Sequence, residues 1–201
     1  MTTAPVRQSR ARHDTEEKLV NAAADLLGEV GPRAMSVRAI ADRAGVNHGL
    51  VHHYFGGKDG LLRAAMIRLV EEHAQFAREK SGGSPLPAPL ALSSDQRYLR
   101  AVVRCVLDDE MELAQMELTA GVSIPRQALQ HAVETRKLSS PDTKTKAMVT
   151  IGMAMEMGWA ALEPFLFAVA EVSDVNEQEQ VREYARQFRR KFAQRELDEQ
   201  L

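Results

Sequence analysis

Cysteine is almost missing: Cys105 is the only one in 201 residues. A disulfide framework, a cysteine-based zinc site and an iron–sulfur centre are therefore excluded. Cys105 itself, beside Val102, Val103, Val106 and Leu107, is expected to pack as a small apolar residue, with no base to make it a nucleophile. Long apolar runs are missing too. No stretch approaches the roughly 18 residues a membrane span needs. The opening Met-Thr-Thr-Ala-Pro-Val-Arg-Gln-Ser-Arg has no apolar signal core, so a reducing cytoplasm is the expected setting. Aromatics are only 5%, and no segment alternates apolar and polar residues as a half-buried strand does. Ala, Leu, Glu, Arg, Gln and Met are abundant instead, and such unbranched side chains keep their rotamer freedom in a helix. The expected fold class is all-α, with about nine helices. No cofactor is expected, and catalysis is not: no strand-turn-helix nucleophile motif occurs.

A large basic excess is also lacking, since 26 Lys+Arg face 28 Asp+Glu. The average hides a weak split. Residues 1–80 hold 12 of the basic and 10 of the acidic residues, leaving 14 and 18 for the remainder. A basic face is permitted on the first segment and disfavoured on the second.

Residues 1–13 carry Arg7, Arg10, Arg12 and His13 without periodicity and are expected to form a flexible arm. From Thr15, the residues Leu19, Ala22, Ala23, Leu26, Leu27 and Val30 step by three and four, which predicts an amphipathic helix. Asp14 or Thr15 would cap it and Gly31-Pro32 would stop it. A short helix is expected after Ser36, through Val37, Ile40, Ala41 and Ala44. Gly45-Val46 turns the chain into another, carrying Leu50, Val51, Tyr54 and Phe55. Gly56-Gly57 ends that one, and a longer helix begins near Lys58 with Leu62, Ala65, Met66, Leu69 and Val70. Two short helices joined by a tight Gly turn make a helix-turn-helix pattern. Three prolines and two glycines within residues 81–89 mark a loop. Further helices are expected at 94–107, 109–120, 125–138, 141–172 and 176–199, with a kink or split at Pro164. The expected division is an arm at 1–13, a helix-turn-helix domain at 14–60, a connecting helix at 61–80, a loop at 81–93 and a helical body at 94–201.

Within residues 36–58, Ile40, Ala41, Val46, Val51 and Phe55 can lock the two short helices together. Asn47, His48, Gly49, His52 and His53 are then left facing outward. These side chains are short or flat and rich in donors and acceptors, the character needed to read base edges in a major groove. The pattern Ser-Val-Arg-x-Ile-Ala-x-x-Ala-Gly-Val, closed by Val51, Tyr54, Phe55 and Lys58 at their spacing, resembles the DNA-binding head of the TetR (tetracycline-repressor-like) family of bacterial transcription regulators. The match covers residues 15 to about 68. The resemblance implies phosphate contacts from Ser36, Arg38, Tyr54 and Lys58, and groove contacts from Asn47, His48, Gly49, Leu50, His52 and His53. One departure is visible. Family members often have an aromatic residue where His52 and His53 stand, and Ser or Thr where Leu50 stands. His48 and His52, four residues apart, could also share a metal, but no acidic or cysteine ligand accompanies them, so no metal is expected.

Beyond Lys146 the chain is apolar nearly all round as far as Phe167, which calls for cover on more than one side. The resemblance implies that the last two helices meet a second copy as a four-helix bundle. Met155, Leu162, Val181, Tyr184, Phe188 and Phe192 are the expected interface. It also implies a small-molecule effector in the body, for which Met116, Met153, Met157, Trp159 and Phe165 are candidates because Met adapts to varied apolar shapes. Glu156 and Glu163 interrupt the run and are open to three roles: facing solvent, pairing with an arginine, or reading a cationic ligand. The implied function is a ligand-responsive regulator, most often a repressor, that binds a palindromic operator in double-stranded DNA as a homodimer. The alternative is a helical ligand-binding or interaction protein that does not read DNA sequence.

Overall fold

A computed structural model of the chain describes residues 4–84 and 86–198, and the regular structure among them is entirely helical. Ten α-helices are present: α1 (Ala4–Ala34), α2 (Val37–Ala44), α3 (Gly49–Phe55), α4 (Lys58–Ser81), α5 (Gln96–Leu107), α6 (Met111–Ala114), α7 (Met116–Thr119), α8 (Ile124–Thr135), α9 (Thr143–Val169) and α10 (Val175–Asp198). A single 3-10 turn, Ala91–Ser94, precedes α5. None of the described helices is long and apolar enough to cross a membrane. The residues fall into two compact units. One runs to Glu72 and takes in Arg100–Val122; the other comprises His73–Leu99 and the chain from Ser123 onward. The division therefore does not follow the Pro/Gly-rich loop, because α4 and α5 each contribute residues to both units.

The first unit is built on the predicted helical stripe. Leu19, Ala23 and Leu27 of α1 are fully buried, as are Ile40, Ala41, Val51, Leu61, Ala65 and Met66. Burying each Leu, Ile or Met contributes about 1.5–3 kcal/mol. Val30, placed on the same stripe by its spacing, is 43% exposed, because the helix breaks at the next residue. There Gly31 takes φ 79°, ψ 162°, a conformation that costs glycine little and L side chains much. The beginning of α1 differs from expectation. It starts at Ala4 rather than at Thr15, and Thr15 does not cap: its hydroxyl donates back to the Ala11 carbonyl at 2.8 Å. The upstream turns are held by Arg12, whose Nε lies 2.8 Å from Glu16 four residues on.

The helix expected over 109–120 is two single turns, α6 and α7. It starts late because Asp109 adopts φ 60°, a left-handed conformation that Asp tolerates through its short polar side chain. The preceding Asp108 accepts a hydrogen bond from the Arg33 amide at 3.1 Å. Cys105, on α5, is fully buried. Desolvation, with Glu110 and Asp108 nearby, pushes its thiol up to about 12, so it is inert as a nucleophile.

In the second unit, α9 passes Pro164 without splitting. Proline removes the N–H that would bond the Ala160 carbonyl. The side-chain amide of Gln96 supplies the missing donor, reaching that carbonyl at 3.1 Å. Asp142 caps the start of α9, accepting from the Thr145 amide at 2.7 Å. Hydrogen bonds from the Thr145 hydroxyl and amide, followed by Arg136, hold its carboxyl down at about 2. His73 pairs with Asp95 at 2.8 Å and stacks on Tyr98 with ring centroids 3.9 Å apart.

Candidate nucleic-acid interface

The turn between α2 and α3 is made by its sequence. Ser36 caps α2, its hydroxyl accepting from the Ala39 amide at 3.1 Å. Gly45 ends the helix at φ 66°, with its N–H turned back to the Ala41 and Asp42 carbonyls. Asn47 then opens α3: its side-chain oxygen accepts from the Gly49 amide at 2.8 Å. Arg43 grips Glu29 of α1 through two bonds of 3.0 and 2.7 Å, and that guanidinium draws the Glu29 carboxyl below its ordinary value.

Burial divides α3 into an inner and an outer side. Val51 is fully buried. Asn47, His48, Gly49, His52 and His53 are exposed, as are Ser36 and Arg38 of the α2 start, while Leu50, Tyr54 and Lys58 are half-buried. Of the ten residues singled out from the pattern, seven are thus exposed and three half-buried. Besides the capping bonds of Ser36 and Asn47, Lys58, Arg38 and Tyr54 have internal partners as well. Lys58 donates to the Pro32 carbonyl at 2.7 Å, so its ammonium ties α4 to the end of α1. Arg38 lies 3.8 Å from Asp42 in a fully solvated pair. Tyr54 packs against the His53 ring at 4.9 Å and lies under the Arg12 guanidinium at 5.4 Å. Arg12, read as part of an arm, therefore contacts one of these ten residues.

One residue of the site was not legible. A Cβ on Gly60 would overlap the Phe55 carbonyl oxygen, so only glycine lets α4 start this close to the end of α3. The signal is its position two residues after Lys58, where an ordinary helix would favour alanine. No three His, Cys, Asp or Glu side chains converge among the described residues to hold a metal ion.

Residues 19–65 match the family model described as bacterial regulatory proteins, tetR family. The HTH-type transcriptional repressor Rv3405c of Mycobacterium tuberculosis is 30% identical over 180 residues, covering 87% of this chain and 89% of the relative. This chain belongs to the tetR family. It is a transcriptional regulator with a DNA-binding helix-turn-helix. Solved regulators share the fold. A transcriptional regulator from Rhodococcus sp. Rha1 gives a TM-score of 0.59 at 21% identity, covering 87% of this chain and 92% of that one. A tetR-family regulator from Streptomyces coelicolor gives 0.58 at 19%, covering 90% and 79%.

In this tetR-family chain the second unit redistributes the residues assigned to effector and interface. An apolar groove of about 530 Å³ lies between α9 and α10, walled by Leu90, Met155, Trp159, Leu166, Tyr184 and Phe188, among others. Of the effector candidates only Trp159 borders it. Met153 and Met157 are half-buried elsewhere on α9, and Met116 belongs to the other unit. Phe165 is 64% exposed, off the groove side that Leu166 occupies. Met155, Val181, Tyr184 and Phe188, assigned to an interface, line the same groove as Trp159. Leu162 is exposed, and Phe192 half-buried.

Both glutamates of the apolar run pair with arginines of α10. Arg182 clasps Glu163 with bonds of 3.0 and 3.1 Å, and the Trp159 indole N–H joins it at 3.0 Å. Glu156 accepts from the Leu90 amide at 2.8 Å and lies 3.3 Å from Arg189 Nε. That second contact is an ion pair with poor hydrogen-bond alignment, since the Nε has no geometrically sound partner. Burial pushes the Glu156 carboxyl up, opposed by Arg189 and the amide. Gly152 makes the room: a Cβ there would come within 2.6 Å of the Arg189 guanidinium.

Proposed function

We propose that this regulator is a repressor that binds a twofold-symmetric operator as a homodimer, with α3 in the major groove, and that a small molecule releases it. The observation that carries the groove assignment is the sidedness of α3, where Val51 is sealed inside while Asn47, His48, His52 and His53 face outward. Ser36, Arg38, Tyr54 and Lys58 border that surface and supply donors to phosphates, which position a protein without specifying sequence. The direction of regulation is taken from the Mycobacterium tuberculosis relative, which bears the name repressor.

The dimer is supported by the apolar side chains that α9 and α10 leave uncovered: Leu162, Phe165, Val169, Tyr184 and Phe188 are each between 49% and 70% exposed. A patch of that kind on a lone chain marks an interaction surface. Twofold pairing would set two reading helices one DNA turn apart, roughly 34–36 Å. An effector can release DNA only by binding the DNA-incompetent state more tightly. Met153, Met157 and Trp159 on α9 are the residues retained for that contact.

Duplex titration at several salt concentrations tests this reading. A linear fall of log affinity with log salt, together with strong preference for one palindrome, is expected. His48→Ala or His53→Ala should relax that preference by about 1–3 kcal/mol. Weak, equal binding to every duplex would favour the alternative, a helical interaction protein that does not read sequence.

A further inference from the structure

Three of the six histidines in the chain, His48, His52 and His53, fall at the start and along the outward side of α3. Between Arg43 and Lys58 the sequence contains no Lys, Arg, Asp or Glu. The exposed edge of this helix therefore has no permanent charge, and imidazole is its only basic group. The permanent positive charge assigned to phosphates lies on Arg38 of α2 and Lys58 of α4, so any charge that α3 itself brings to a duplex must come from these rings.

None of the three rings takes part in an ion pair among the described residues. His48 precedes α3 without a capping bond from its side chain. His53 meets the Tyr54 ring at 4.9 Å. The ion pairs that histidines form among the described residues lie elsewhere, at His13–Glu17 and His73–Asp95. Charged groups on the neighbouring helices are engaged with one another: Arg12 with Glu16, Arg38 with Asp42, Arg43 with Glu29. Lys58 bonds the Pro32 carbonyl, and Asp59 follows it in the first turn of α4.

We infer that DNA binding by this protein is coupled to proton uptake at His48, His52 and His53, so that operator affinity and base preference depend on pH. The inference rests on the reading of α3 as the groove-facing helix. An imidazole changes charge between about pH 5 and 8. Close to a duplex the negative phosphates favour the imidazolium form, so the complex holds protons more tightly than the unbound protein does. By linkage, affinity then rises as pH falls through that window and declines as pH rises. Each proton fully taken up changes the binding constant about tenfold per pH unit. Protonation also alters what the helix can read. A neutral ring offers one donor and one acceptor, whereas imidazolium offers two donors, either of which can meet an acceptor such as N7 or O6 of guanine.

The test uses the full chain and, as probe, the duplex it enriches from a random-sequence library, with a scrambled duplex of equal composition beside it. Affinity is measured from about pH 8 to about pH 6 at several salt concentrations. Proton uptake is read by calorimetry in buffers of different ionisation enthalpy. Affinity should rise about tenfold or more on acidification. Uptake should be positive, and the salt slope should steepen by about 0.9 for each imidazolium that meets a phosphate. A combined His48→Gln, His52→Gln, His53→Gln variant should lose the pH dependence, while His131→Gln on α8 keeps it. If the combined variant binds too weakly, each single variant should remove part of the slope. Flat wild-type affinity with no uptake, or an undiminished slope in the variants, would overturn the coupling. Variants that bind like the wild type at every pH would overturn the assignment of α3 itself, a distinguishable failure.

Discussion

The helices around α3 and the pair α9–α10 treat their apolar side chains in opposite ways. In the first group Leu19, Leu27, Ile40, Val51, Leu61 and Met66 are sealed from solvent, and only Val30 and Ile67 among the described large apolar residues of α1–α4 are exposed, each by about two-fifths. In the second, Phe165 and Phe188 stay about two-thirds exposed and Tyr184 rather more, while two Glu–Arg pairs are drawn inward between the helices. One region seals most of its large apolar side chains within the chain; the other leaves several of them open to solvent. The difference teaches that a local motif can be judged from its own residues, whereas a helix apolar all round cannot be understood without what covers it.

The sharpest way to break that contrast is to truncate one aliphatic side chain in each region. Ile40→Ala should cost about 2–5 kcal/mol in chemical denaturation, because it empties a fully buried site. Leu162→Ala, half-exposed on α9, should cost under about 0.5 kcal/mol in the dissociated chain and instead weaken self-association in sedimentation. Equal losses of stability would erase the distinction. Next in size, Gly60→Ala should destabilise the first unit by about 1–3 kcal/mol, since the new methyl meets the Phe55 carbonyl and forces backbone apart. Similar in scale, Gln96→Ala should cost about 1–3 kcal/mol by leaving the buried Ala160 carbonyl without the donor that Pro164 cannot supply. The smallest effect concerns acid. Asp142 is depressed to about 2 by Thr145 and Arg136. Its stabilising contribution is therefore present above about pH 4, the unfolded value, and is lost as pH falls toward 2. Asp142→Asn should flatten the acid limb of a stability–pH curve, measured by denaturation at each pH.

Much of the first unit was legible because its signals are local. Ser36 as a cap, Gly45 as a turn, and Ile40 and Val51 as inward anchors each follow from spacing over fewer than four turns. Helix boundaries were less legible where a competing contact won. Thr15 looks like a cap, yet the Arg12–Glu16 pair carries α1 past it. Asp109, taken for the start of a helix, is held in a left-handed turn beside Asp108 and Arg33. Pro164 was expected to kink or split its helix, and no spacing rule reveals that Gln96, far away in sequence, satisfies the carbonyl it orphans. In the second unit, the three roles open to Glu156 and Glu163 were narrowed only by Arg189 and Arg182 across the helix pair. Trp159 and Phe188, assigned different tasks, share one groove because α9 and α10 lie side by side.

The central claim is that the outer edge of α3 lies in the groove of an operator bound twice over. A photo-crosslinking side chain placed at His52 tests it most directly, using the enriched duplex and mapping the attached bases. Two symmetric attachment sites separated by about one helical turn are expected, roughly 34–36 Å apart. Absence of any attachment from position 52, while the protein still protects the same duplex, would contradict the account.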